Sequence, residues 1–335
     1  MTSTWLFRKK RVLGNFSIEQ SFEAVMNGWP VGDKPEWIEA TYFSEGWLSR
    51  WKIIRHARAI KTDILHITGD IHFAALAWPK WRRNRPQLVL TIHDIGFLRE
   101  TQGWRRAIMK KLWITWPLYC VDHLITVSEA TKKDVLLEAP WFLAENITVV
   151  PTVISQHFQP RESDIKNSKL VALHIGLAEN KNLRGHAKAL QPLDIHLRIV
   201  GEPSDTEHEM LQRMGIEYTA QSNLTAAEMQ KAYATSDFLL FASTLEGFGM
   251  PILEAQMIGL PVITSNLEPM KSVAGNGALL CDPLDLESIR ACVVQVTSDT
   301  KLRDELIQNG AANCKRYSPI ESARKMYDLY QTLGH

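Results

Sequence analysis

Apolar runs of strand length recur along this chain, and each is followed by a segment long enough for a helix. In the first half they are DILHIT (63–68), QLVLTIHD (87–94), HLITVS (123–128) and NITVVP (146–151). In the second half they are KLVALHIG (169–176), IHLRIVG (195–201), SDFLLFAS (236–243) and LPVITS (260–265). Several are continuously apolar rather than alternating, as strands buried on both faces of a parallel sheet are. Strand and helix in alternation predict an α/β fold with a doubly wound parallel sheet, here twice over. At 335 residues the chain is long for a single core. The expected division is a first domain over 1–155 and a second over 156–318, with the polar, irregular QPRESDIKNSK (159–169) as linker.

In open sheets of this kind, ligands bind beyond the carboxyl ends of the strands. The unusual residues gather there: Gly69 and Asp70, then His93 and Asp94, then Gly176 and Gly201. The densest group is STLEGFGMPILEAQMIGLPVITSN (243–266). Two such sheets facing each other would enclose a cleft.

In that stretch a strand ends at Ser243 and TLEGFG forms a loop. Pro251 suits the first turn of a helix, where its missing N–H is no loss, and Gly259 suits the helix end. Glu246 is therefore expected in a glycine loop and Glu254 in a first turn. Gly247 and Gly249 let backbone N–H groups come close to a ligand. With the helix start they form a concavity for anions and hydroxyls. A first-turn glutamate also suits the helix dipole, at ~0.3–1 kcal/mol. That term explains Glu254 alone, not Glu246 or the glycines on both sides of Phe248. Carboxylates accept bonds from sugar hydroxyls while N–H groups and a nearby Lys meet phosphate. A nucleotide-sugar is both polyhydroxylated and anionic, and fits.

Charge and composition narrow the remaining classes. Cys120, Cys281, Cys292 and Cys314 show no paired spacing, which reads as free thiols in a reducing compartment. No His and Cys cluster has metal-ligand spacing. The amino terminus meets charge before any apolar run of signal-peptide length, and LWITWPLYCV (112–121) is too short to span a bilayer. A cytoplasmic protein is expected. The net charge of +1 hides an asymmetry: residues 1–155 carry 21 Lys and Arg against 15 Asp and Glu, whereas 156–335 carry 17 against 22. All eleven tryptophans lie between Trp5 and Trp141. The segments 47–61 and 104–116 set Arg and Lys at helical spacing beside Trp, Ile and Leu. Basic amphipathic helices with interfacial tryptophans suit an anionic membrane surface at the inner face of a cell membrane. A helix with one core face and one solvated face is the ordinary account. Nucleic acid is not expected, since no recognition motif accompanies the charge.

At EGFGMPILEA (246–255) the chain resembles the family 4 retaining glycosyltransferases, which have the GT-B fold of two Rossmann-like domains facing a central cleft. The likeness continues through LVALHIGLAENKNL (170–183), LRIVGEP (197–203), LTAAEMQKAYATSDFLLFAS (224–243), PVITSNLEPMKSVAGNGALLCDPLD (261–285) and YSPIESARKMYDLY (317–330). LTIHDIGFL (90–98) and ITVSEATKKDV (125–135) match in the first half. The resemblance implies roles for particular positions. Glu246 would contact hydroxyls of the donor sugar, with the backbone of Phe248, Gly249 and Met250. Glu254 would bind the ribose, Lys181 would neutralise the leaving diphosphate, and His93 would sit by the reacting sugar. Gly176, Gly201 and Gly247 would line the donor site. It further implies no cofactor and no metal, a nucleotide-sugar donor (GDP- or UDP-linked), and a glycan or polyprenyl-linked glycolipid acceptor on the first domain. The biology implied is polysaccharide or lipopolysaccharide assembly. The last helix (319–333) is expected to cross back onto the first domain.

Some positions depart from the family pattern. Leu177 follows Gly176 where many members have Arg, with Arg184 as a substitute. Pro151-Thr152-Val153 replaces the usual Pro-Asn-Gly, and the first glycine loop is reduced to VLGNFSIEQ (12–20), leaving Gly14 for the donor and Asn15 for the acceptor. Asp70, His72 and Asp94 are further acceptor candidates, and Ser128 and Thr131 read as helix-start residues. Two other functions stay open. One is another GT-B enzyme, such as a nucleotide-sugar epimerase or a phosphorylase. The other is a catalytically degenerate nucleotide-sugar-binding protein.

Overall fold

The computed structural model describes residues 1–9, 17–30, 32, 34–154, 158–161 and 168–334. Gly14, Asn15 and most of the expected linker lie outside the described residues. The chain divides into two compact units, residues 1–153 with 319–335, and residues 154–318.

The first unit is built on six parallel strands: β1 (Ser3–Phe7), β2 (Glu36–Glu39), β3 (Ile64–Ile67), β4 (Gln87–Ile92), β5 (His123–Thr126) and β6 (Ile147–Val149). Their order is β2-β1-β3-β4-β5-β6. Residues Leu88, Val89, Leu90 and Ile92 of β4 are all buried, so the continuous apolar pattern marks a strand covered on both faces. One face packs on the helix Ser17–Asn27 and on the last helix, Pro319–Leu333, through Trp5, Phe22, Trp29, Met326 and Tyr330. Gly28 allows that close approach, because a Cβ there would lie 2.9 Å from the Pro319 carbonyl carbon.

A buried polar chain fixes the last helix in register. Trp5 Nε1 donates to the Tyr330 hydroxyl at 2.7 Å, and that hydroxyl meets His66 Nδ1 at 2.6 Å. His66 Nε2 meets Thr91 Oγ1 at 2.6 Å. Burial holds the His66 pKa down to about 3, with His93 adding to the effect, so the ring is neutral in the folded state.

The second unit carries six more parallel strands: β7 (Leu170–Ile175), β8 (Ile195–Val200), β9 (Tyr218–Gln221), β10 (Phe238–Phe241), β11 (Val262–Ser265) and β12 (Leu279–Cys281). The order β12-β11-β10-β7-β8-β9 puts β7 and β10 side by side at the centre. The order runs outward from this pair in opposite directions, and their carboxyl-end loops are therefore neighbours. Residues 159–161, the start of the expected 159–169 linker, are tied to this unit: Arg161 N donates to Ile258 O at 3.0 Å.

Candidate functional site

The loop after β7 and the loop after β10 are joined by two asparagines flanking Lys181. Asn180 Nδ2 donates to Leu245 O at 2.6 Å, and Thr244 N donates back to Asn180 O at 2.8 Å. Asn182 adopts a left-handed conformation, which Asn tolerates better than most residues. Its Nδ2 donates to Ala242 O at 3.2 Å and to Pro283 O at 2.8 Å, while its Oδ1 accepts from Gly185 N and caps the helix Leu183–Leu190.

Between these anchors Lys181 Nζ meets Glu246 Oε1 at 2.6 Å, and both side chains are largely buried. Lys181 also stands 5.1 Å from the centre of the Phe241 ring. Gly176 makes room for the lysine stem: a Cβ there would lie 3.2 Å from Lys181 Cγ and Cε. The candidate phosphate cation and sugar carboxylate, distant in sequence, thus meet at one point beyond the strand ends.

The helix after this loop runs Met250–Ile258, with Gly249 as a left-handed N-cap and Pro251 within the first turn. Phe248 is buried and packs edge-on to Tyr317 with ring centres 5.7 Å apart. Gly247, Phe248 and Gly249 carry the backbone between Glu246 and the helix, which Met250 begins. Glu254 is a correction to the sequence reading. It is the fifth residue of the helix, not a first-turn residue, so the dipole argument does not apply. Its Oε2 accepts a short hydrogen bond from the Tyr233 hydroxyl, a partner that sequence reasoning missed. Burial pushes the Glu254 pKa up to about 7, and the Tyr233 bond offsets part of that rise.

Leu177, in the place of the expected Arg, packs over Gly201, where a Cβ would meet its Cδ1 at 2.8 Å. The position following Gly176 therefore adds apolar packing rather than charge. Arg184 is exposed on the next helix.

In the first unit the strand-end residues form a second cluster. Arg8, which sequence reasoning missed as one of a run of charges, pairs with Glu19 at 2.8 Å, and the charge of Asp70 also acts on it. Arg8 and His72 in turn act on His93. Burial, then these two neighbours, hold the His93 pKa down to about 3, so the ring is neutral. His93 Nε2 is buried and has no hydrogen-bond partner. Thr131 Oγ1 donates to the His93 carbonyl at 3.4 Å, and Ser128 caps the helix Glu129–Glu138 by accepting from Thr131 N. Asp94 supports its loop by accepting from Gly96 N at 2.9 Å. His72 is buried, with Nδ1 at 3.0 Å from the Trp113 carbonyl, whereas the Asp70 side chain is exposed.

The basic, tryptophan-rich segments lie largely open to solvent. Helix Gly46–Ala59 buries Ile53 and Ala57 and leaves Trp47, Leu48 and Trp51 at 70%, 78% and 53% exposure. Helix Gly103–Lys110 buries none of its residues, and Trp104 is 70% exposed. Arg50 connects the two segments: its guanidinium lies 5.9 Å from the Trp47 ring centre and 4.7 Å from that of Trp113. Among the described residues, no helix is long and apolar enough to cross a membrane.

Comparison with known proteins agrees with this architecture. A model of the Glycosyl transferases group 1 family matches residues 155–313, and one of Glycosyltransferase Family 4 matches residues 19–157. The chain is 27% identical over 270 residues to the O-antigen chain mannosyltransferase B of Escherichia coli, covering 73% of this chain and 70% of that one. It is 26% identical over 266 residues to the MMP alpha-(1->4)-mannosyltransferase of Mycolicibacterium hassiacum, covering 72% and 62%. HepE of Anabaena, solved with UDP and glucose, superposes with a TM-score of 0.79 at 17% identity, over 98% of this chain and 100% of that one. The two family models together run from residue 19 to residue 313, and the chain is a member of the family 4 GT-B glycosyltransferases.

Proposed function

We propose that the chain transfers a hexose, with retention of anomeric configuration and without a metal, from a GDP- or UDP-sugar to a glycan or polyprenyl-linked glycolipid. The step belongs to the assembly of a cell-surface polysaccharide or lipopolysaccharide. The observation that carries the reading is the 2.6 Å contact of Lys181 with Glu246, held by Asn180 and Asn182 on either side. A cation and a carboxylate at one point serve a ligand whose charged diphosphate adjoins a hydroxylated ring. Several relatives are mannosyltransferases, which supports testing mannose first among the sugars.

In this reading the donor takes over the Lys181–Glu246 contact. Lys181 neutralises the leaving diphosphate, helped by backbone N–H groups, and such donors are often the largest catalytic contribution. Glu246 accepts from sugar hydroxyls, with the backbone of Phe248, Gly249 and Met250 beside it. Glu254, kept in place by Tyr233, accepts from the ribose. Neutral His93 offers its unpaired Nε2 to the reacting sugar. The acceptor attacks on the face from which the diphosphate leaves, so no protein nucleophile is required. Asp70, His72 and Asp94 lie around the acceptor, and the exposed tryptophans with Arg50, Lys52 and Arg55 rest on an anionic membrane surface at the cytoplasmic side.

The test is a thermal-shift panel of UDP, GDP, ADP, CMP and their sugar conjugates, followed by transfer to a glycolipid extract and determination of the product anomer. A ligand at a hundred times its dissociation constant adds ~2.7 kcal/mol of stability. Stabilisation by one base and a retained anomer, insensitive to chelator, are expected. Binding without transfer supports the degenerate binding protein, and a changed sugar without acceptor supports the epimerase.

A further inference from the structure

His174, in β7, and His186, in the first turn of the following helix, are both buried. Their Nδ1 atoms are 2.8 Å apart, and the backbone N–H of Ala242 donates to His186 Nε2 at 3.1 Å. A backbone amide can only donate, so His186 Nε2 carries a lone pair and its proton sits on Nδ1. That N–H must donate to His174 Nδ1, which leaves the His174 proton on Nε2. Burial keeps both rings neutral, the His174 pKa falling to about 4 and that of His186 well below its usual value. The three groups therefore form a chain with one direction, from Ala242 N–H through His186 to His174.

The chain ends on an N–H that makes no well-formed hydrogen bond, although the Gly176 backbone is close enough to act on the ring. His174 Nε2 is buried and makes no formed hydrogen bond. The backbone of Gly176 is near enough to favour a proton on this ring, and the charge of Lys181 is felt there too. A buried donor without a well-formed bond requires an explanation, and this one sits near the end of β7, two residues before Gly176 and the loop that carries Lys181.

We infer that His174 and His186 are positioning residues for the donor site: the His174 Nε2–H steers the Gly176 carbonyl, and on nucleotide binding this contact tightens into a full hydrogen bond that keeps the carbonyl turned away from the diphosphate. A carbonyl facing a diphosphate repels it, whereas the N–H groups that follow attract it. Gly176, at φ +84°, has the backbone freedom for this orientation. The inference rests on the reading of the Gly176–Lys181 loop as the diphosphate site.

Nitrogen-15 NMR of the histidine-labelled full chain tests it, with UDP and GDP as probes. In the free protein the expected pattern is a proton on Nδ1 of His186 and on Nε2 of His174, the first being the less usual tautomer. The nucleotide that binds by calorimetry should shift the His174 Nε2–H resonance downfield and leave both tautomers unchanged. A proton on His186 Nε2, or an unmoved His174 signal at nucleotide saturation, would overturn the inference. If neither nucleotide binds, the donor-site reading fails and the loop-holding role falls with it, while the tautomer pattern still tests the relay by itself. In transfer assays His174→Phe should raise donor KM about tenfold with kcat within twofold, and His174→Gln, which restores a donor, should recover most of the loss. Equal KM in wild type and His174→Phe would contradict the role.

Discussion

In the second unit the charged residues at the strand ends face one another. Lys181 meets Glu246, and the loops that carry them are fastened by Asn180 and Asn182. In the first unit His72 is buried and His93, with its Nε2 buried, is neutral, Arg8 is engaged by Glu19, and the strongest surface signal lies elsewhere, on tryptophans beside arginines. One end pairs a largely buried cation with a carboxylate. The other sets a neutral site next to an exposed aromatic and cationic face. The contrast teaches that conserving a fold twice does not duplicate its chemistry: parallel sheets of the same size bring different residues to their carboxyl ends.

The largest effect should follow from removing the cation of the polar end. Lys181→Ala is expected to lower the transfer rate by ~10²–10³ or more, the scale for losing one preorganised donor to developing charge. Measured kcat unchanged in this variant would place the charge-stabilising group elsewhere.

Glu254 gives the next effect, through pH. Its folded-state pKa is raised to about 7 from an ordinary 4.5. A raised pKa means the folded chain holds the proton more tightly, so the contribution to stability is full below pH 4.5 and lost as pH rises through 7. Glu254→Gln has no such dependence. Denaturant unfolding should therefore show the variant gaining about 3 kcal/mol on wild type between pH 4 and pH 8. A difference independent of pH would show that the carboxyl is not held protonated by burial.

In the first unit, Tyr330→Phe should cost ~1–3 kcal/mol, because Trp5 Nε1 and His66 Nδ1 both lose a buried partner. Thermal unfolding checks it; no change would mean that water replaces the hydroxyl. The smallest effect on stability is expected at the exposed face. The double variant W47A/W51A should unfold within ~0.5 kcal/mol of wild type, yet lose sedimentation with phosphatidylglycerol vesicles. Undiminished sedimentation would remove the membrane from the comparison.

How much of this was legible in the sequence depended on the range of the interactions. Runs such as QLVLTI are long, apolar and bounded, and they fold as strands where expected. β1 and β2 were harder to see: Ser3–Phe7 runs into a block of positive charge, and Glu36–Glu39 has glutamate at both ends. Glu246, Gly249 and Pro251 were legible because local backbone needs select them. Glu254 was placed a turn too early, since Pro251 alone does not show that the helix begins at Met250. Arg8, Tyr233 and the His174–His186 pair were not found. Their partners lie 11, 21 and 12 positions away, beyond the reach of a local pattern, and each sits in a stretch whose apolar or charged pattern has a simpler local reading. The lysine between two asparagines in ENKN was visible, but not that both amides reach across to the next loop.

Calorimetric titration of UDP and GDP into wild type, Lys181→Ala and Glu246→Ala tests the central claim most directly. The expected result is that one nucleotide binds wild type and Glu246→Ala alike, and that Lys181→Ala loses it, because Lys181 touches diphosphate and Glu246 touches sugar. Equal loss in both variants, or no binding of either nucleotide to wild type, would contradict the assignment of this site to a nucleotide-sugar.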